Sequence, residues 1–168
     1  MKVSYPVPAA KIAAFVEDIL VIEHHDVREP FVLPLFANSK PTLLFQTAPG
    51  KIKNDTGHLT LFGQTILPEQ LTLSDNFTLI AYFFKPFALT ALFGFSAQEL
   101  TDHPVSLTLL PQQTAKNLQE QLLNTSAVSE MMSILDDFIF ALITKVKTDT
   151  ASIRYATQLI AANPSKDI

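Results

Sequence analysis

Four histidines are the first side chains to test for chemistry. His24 and His25 are adjacent in a segment that reads as a strand, so they point to opposite faces and cannot hold one ion together. His58 and His103 stand alone, and no H-x-H with a following Glu is present. The spacing predicts no metal site and no cofactor. The acidic pairs Glu17-Asp18 and Asp136-Asp137 read as solvated neighbours, whereas catalytic carboxylates must converge across a cleft. No G-x-S-x-G, H-E-x-x-H, P-loop or G-x-G-x-x-G occurs. With 4 glycines in all, and Arg28 and Arg154 as the only arginines, phosphate-cradling loops and bidentate anion clamps are scarce. No catalytic residue is expected, and the chain does not read as an enzyme.

The surplus is in phenylalanine, of which there are 13. Phe31, Phe36, Phe45, Phe62, Phe77, Phe83 and Phe84 fall in expected strands. A cage lined by Phe45, Phe62 and Phe83 could take a small apolar or aromatic ligand, with Tyr82 lending a hydroxyl if its face turns inward. Tyr82 and Phe83 cannot both face inward from a regular strand, so at least one of the two must fail. The plainer use of the same rings is to fill a core.

The elements that would position these residues change character near residue 86. Short strands are expected at roughly 18–24, 31–36, 41–47, 58–66, 70–74 and 77–84. Between them stand the turn signals Asn38-Ser39-Lys40, Ala48-Pro49-Gly50, Asn54-Asp55-Thr56-Gly57, Leu67-Pro68-Glu69 and Ser74-Asp75-Asn76. Such spacing predicts a sandwich or small antiparallel barrel, and the gaps are too short for the crossovers of a parallel sheet. Strand 77–84 is apolar on both faces, with Phe77, Leu79, Ala81 and Phe83 on one and Ile80, Tyr82 and Phe84 on the other. It belongs in the centre, with the barrel interior on one side and helices on the other.

A short helix is expected at the start, where Ile12, Phe15 and Val16 form one face after Pro8. Later, Pro86 can open a helix that Gly94 closes, and Ser96-Ala97-Gln98-Glu99 has capping-box form. Helices follow near 111–123 and 126–146. The second carries two apolar seams, Val128-Met132-Leu135-Ile139-Leu142-Val146 and Ala127-Met131-Ile134-Phe138-Ala141. One seam can pack on the barrel and leave the other for a neighbour. Met132, Leu135, Ile139 and Leu142 are the expected homodimer interface. A last helix is expected near 151–162, stopped by Asn163-Pro164, and the chain reads as truncated at Ile168.

The fold class is thus α+β, a small antiparallel β-barrel over about 18–84 followed by helices over about 86–146. The chain of 168 residues is 48% apolar and can bury a full core without staples, and the absence of cysteine excludes disulfides and thiolate chemistry. A net charge of −4 with no basic cluster argues against nucleic-acid binding by these residues alone. The uninterrupted apolar run Leu79 to Phe84 is far short of a membrane span, and no targeting segment appears. A cytoplasmic protein is expected.

Several short strings carry a family resemblance. They are Ile12-Ala13-Ala14-Phe15-Val16-Glu17, Val32-Leu33-Pro34, Pro41-Thr42-Leu43-Leu44-Phe45 and Leu61-Phe62-Gly63-Gln64. Further on stand Phe84-Lys85-Pro86, Leu92-Phe93-Gly94 and Glu99-Leu100-Thr101-Asp102, and then Ala156 to Asn163. In this order they resemble the cupin-like N-terminal sensor domain of an AraC-type transcriptional regulator. The resemblance implies that residues 1–148 sense an effector and dimerise. It implies that 149–168 are a linker and the first helix of a helix-turn-helix module, through which alone DNA is bound. The alternative from the residues themselves is a stand-alone cupin-like carrier or enzyme.

Overall fold

The computed structural model describes residues 1–35, 39–53, 55–96, 98–109 and 113–146. The expected linker and helix at 149–168 lie outside them. Eight strands precede two α-helices: β1 (Lys2–Ser4), β2 (Val16–His24), β3 (Phe31–Leu35), β4 (Thr42–Ile52), β5 (Asp55–Phe62), β6 (Glu69–Leu73), β7 (Phe77–Phe84), β8 (Val105–Ser106), α1 (Gln113–Leu123) and α2 (Val128–Lys145). The fold is α+β, with a β-rich first part and a helical end. Every strand pairing is antiparallel, in the order β1-β2-β7-β4-β5-β8. β3 pairs with β6, and β6 joins the end of β4.

The sheet is bent rather than closed. β4 runs through the Ala48-Pro49-Gly50 turn signal as one long strand, with a bulge between Phe45 and Gly50. Before the bulge β4 lies beside β7; after it, Lys51 and Ile52 pair with Thr72 and Leu71 of β6. Proline donates no ladder bond and is tolerated at such an irregularity. Gly50 is needed there for space. A Cβ would stand 2.5 Å from a Leu71 methyl and 2.7 Å from Gln46 Nε2. The bend folds the β3–β6 ribbon over one face of the main sheet, and β1, β3 and β8 keep free edges among the described residues.

Each face of β7 meets a different core. Ile80, Tyr82 and Phe84 join Leu43, Phe45, Leu59 and Leu61 against the helices. Phe77, Leu79 and Ala81 join Ile22, Leu44, Phe62, Leu71 and Leu73 under the β3–β6 ribbon, with Phe83 at its margin. The central position expected for this strand is observed, since β2 and β4 flank it.

The helical part departs from expectation in detail. Residues 10–15 form turns rather than a helix, because β2 already begins at Val16, yet Ile12 and Phe15 are buried as their spacing requires. After Pro86 the chain makes a π-helical turn, Leu89–Phe93, closed by Gly94 in the left-handed region (φ 75°), whose N–H donates to the Thr90 carbonyl. The Ser96–Glu99 capping bonds both form, at 2.6 and 3.3 Å, but residues 98–102 make a turn rather than the expected helix start.

α2 buries Met131, Leu135, Phe138, Ile139 and Leu142, a stripe drawn from both expected seams. A helix lying on a sheet buries the arc between two seams rather than either one. Leu135, Ile139 and Leu142 therefore sit in the chain's own core, with Met132 half-buried beside them. The burial of Leu135, Ile139 and Leu142 corrects the assignment of these three to a dimer interface.

Candidate functional site: an apolar cavity under the ribbon

Strand register sets the inner-face side chains in rows across β2, β7 and β4. The first row is Phe83 with Thr42, continued onto β5 by Phe62. The second is Leu20, Ala81 and Leu44; the third is Ile22, Leu79 and Gln46. His24 opposite Phe77 makes a fourth. Ala81 is the short member of the second row, flanked by two leucines. Above it the sheet and ribbon leave a cavity of about 160 Å³, roofed by Leu33, Pro34 and Leu35 of β3.

The lining is Leu20, Leu44, Phe62, Leu79, Ala81 and Phe83 on the sheet side, with Thr42 and Thr65 as its polar members. Thr42 is nearly buried, and its hydroxyl donates to the Lys40 carbonyl at 3.1 Å. A void of about 150 Å³ lined by aliphatic and aromatic side chains stays dry and admits benzene. The room here matches a single-ring guest. Two larger hollows, one beside α1 and α2 and one along β4 and β6, are open surface depressions with mainly polar linings. Water already serves such surfaces, so they are weaker candidates.

Of the four residues expected to line a cavity, Phe62 and Phe83 do so. Phe45 and Tyr82 belong to the helix-side core. Alternation is the reason: Thr42 and Leu44 of β4 and Ala81 and Phe83 of β7 face the ribbon, so Phe45 and Tyr82 point the other way. Sequence reasoning missed Ala81, Leu44, Leu79 and the β3 roof. The signal was present in β7, where Ala81 is the one small side chain between Leu79 and Phe83.

Tyr82 still has a distinct place. Its buried hydroxyl donates to Asp136 Oδ1 at 2.7 Å and lies 3.3 Å from the Met132 carbonyl oxygen, tying the central strand to α2. Burial, then the bond to Asp136, pushes the phenol well above its ordinary pKa, so it stays a donor. Of the two acid pairs, Asp136 thus serves Tyr82 and Asp137 pairs with Lys11. Glu17 and Asp18 both reach Lys40, at 3.1 and 2.8 Å, and the Asp18 hydrogen bond leads in raising the ammonium's pKa.

Among the described residues, two buried polar atoms on the inner face have no hydrogen-bond partner. His24 Nδ1 is one, its ring 5.9 Å from those of both Phe31 and Phe77. Gln46 Oε1 is the other, on a fully buried side chain. A dry acceptor costs about 1–3 kcal/mol. His25 lies 3.7 Å from Glu23, His58 Nδ1 is 3.0 Å from the Gln46 carbonyl oxygen, and His103 Nδ1 is 2.7 Å from that of Thr101. Among the described residues no three acidic or imidazole side chains gather as a metal would need. No helix there is long and apolar enough to cross a membrane.

The arrangement defines a class: an α+β domain with a small apolar cavity between a bent antiparallel sheet and its own ribbon. The chain belongs to the family described as Domain of unknown function (DUF6597), whose model matches residues 5–106. The match spans β2 to β8 and contains the whole cavity lining. No curated protein and no solved structure matches the chain.

Proposed function

We propose that this chain is the ligand-sensing and dimerising part of an AraC-type DNA-binding regulator, responding to a small apolar or aromatic effector. The observation that carries the reading is the two-sidedness of β7. Ala81 and Phe83 face the cavity, and Tyr82 between them is hydrogen-bonded to α2. A guest that presses on Ala81 and Phe83 bears on the backbone that holds Tyr82. In sequence, the helix that Tyr82 holds is followed by residues 149–168, read as a linker and, over Ala156 to Asn163, a stretch that resembles the opening helix of a DNA-binding module. The net charge of −4 fits a sensor that leaves DNA contact to such a module. Dimerisation belongs to the same reading, because two weak half-site contacts become one tight engagement through effective concentration.

A stand-alone carrier or enzyme is the alternative, and the reading frame of the gene separates them. Continuation past Ile168 into a helix-turn-helix pair is the expected result; a frame that stops there overturns the regulator. Ligand sensing is tested by thermal shift with toluene and phenol. A guest bound only by the folded state raises Tm with concentration. A flat Tm up to millimolar probe removes the sensor. The dimer is tested by sedimentation of unaltered protein, with a monomer at high concentration counting against it. Ile139→Glu would probe folding rather than association, since Ile139 is fully buried in the core.

A further inference from the structure

One buried amide lies a row beyond the residues that line the cavity. Gln46 is the next inner-face residue after Leu44 on β4 and the cross-strand partner of Leu79, and both of those line the cavity. Its side chain is fully buried, and its Nε2 donates to the Gly57 carbonyl at 2.8 Å. That bond fixes the amide's sense, because the reverse setting would turn Oε1 against another acceptor. Oε1 is left without a partner. Glycine at position 50 makes room for the amide's donor end, since a Cβ there would stand 2.7 Å from Nε2 and 2.5 Å from a Leu71 methyl.

From these observations we infer that the effector carries a hydrogen-bond donor, a hydroxyl or N–H on an apolar body, which Gln46 Oε1 accepts. The inference rests on the sensing role proposed above and adds the chemical class of the guest. Cavity and amide divide the recognition. The rows around Ala81 select a single apolar ring, and Gln46, one row deeper, asks that its far end be a donor. Leu44 and Leu79 are buried between the cavity and the amide, so a guest that reaches Oε1 must displace their side chains as it enters. A purely hydrocarbon guest leaves Oε1 as it was. A guest ending in a carboxylate sets acceptor against acceptor and is rejected.

Toluene and phenol test this, being alike in shape and differing in methyl against hydroxyl. In a wholly apolar cavity toluene binds more tightly, because the phenol hydroxyl loses water and gains nothing. With Gln46 as acceptor, phenol binds at least as well as toluene. Gln46→Met then shifts the phenol-to-toluene preference about tenfold toward toluene. A wild-type protein that prefers toluene, or a preference unmoved by Gln46→Met, overturns the donor requirement and leaves an apolar sensor standing. In that case an internal water serves Oε1. Binding of neither probe removes sensor and donor requirement together. Should Gln46→Met fail to fold, the readout moves to unaltered protein. Magnetisation transfer from bound phenol to the Gln46 side-chain amide is then expected, and its absence while phenol is bound overturns the inference.

Discussion

The helix-side face of the sheet and the ribbon-side face are built from alternate residues of the same strands, yet they are packed to different ends. On the helix side, Phe45, Tyr82, Phe84, Leu135 and Ile139 are all fully buried, and the polar atom among them, the Tyr82 hydroxyl, has its partner. On the ribbon side the layer is thinner, Ala81 leaves a void, and two polar atoms go unpaired. One face is filled and satisfied, as a scaffold must be. The other retains space and unmet hydrogen bonding, which is what a guest can supply.

Substitutions can break that contrast, beginning with the strongest. Ile139→Ala on the filled side should cost about 3 kcal/mol, since a fully buried aliphatic side chain leaves a cavity behind. The urea midpoint reads it, and phenol binding to the folded fraction should stay unchanged. Tyr82→Phe should cost about 1–2 kcal/mol, because it strips the partner from Asp136. It also carries a pH signature. The folded phenol has a raised pKa, so its stabilisation is complete below the unfolded value of about 10 and is lost as pH climbs toward the folded value. Wild-type stability should therefore fall above pH of about 10, and Tyr82→Phe should flatten that fall in denaturant titrations at successive pH values.

Gly94→Ala should cost about 1 kcal/mol from the left-handed backbone alone, because a Cβ there meets nothing within 4 Å. Ala81→Leu should change stability least, by within about 1 kcal/mol, since the added methyls enter existing space. It should abolish toluene and phenol binding by filling the cavity. If Ala81→Leu instead destabilises as much as Ile139→Ala, the two faces are equally tight and the contrast fails.

Much of this was legible wherever a period had room to repeat. The eight residues of β7 showed both faces and their alternation, and α2 had its length and its apolar arc. Very short elements carry no period, so β1, with three residues, and β8, with two, could not be read. Turn chemistry misled at Ala48-Pro49-Gly50, where a bulge lets the strand continue. The true reversal comes at Lys53, in the left-handed region at φ 53°. The cavity was half legible for a similar reason. Enrichment in phenylalanine named the right residue type, but facing depends on strand parity. Pairing of Phe62 with Thr42 and alternation along β4 set Phe62 toward the ribbon and Phe45 toward the helices.

The open margins of the sheet have a further consequence. An unclosed β-layer with bare ladders invites other chains to add to it, and such growth would seal or distort the pocket. Here Pro34 stands within β3, and Pro6 and Pro8 lie two and four residues past the end of β1. Each lacks the N–H that an incoming strand would need. The sheet can thus stay unclosed while its β3 margin remains a poor template for an added strand.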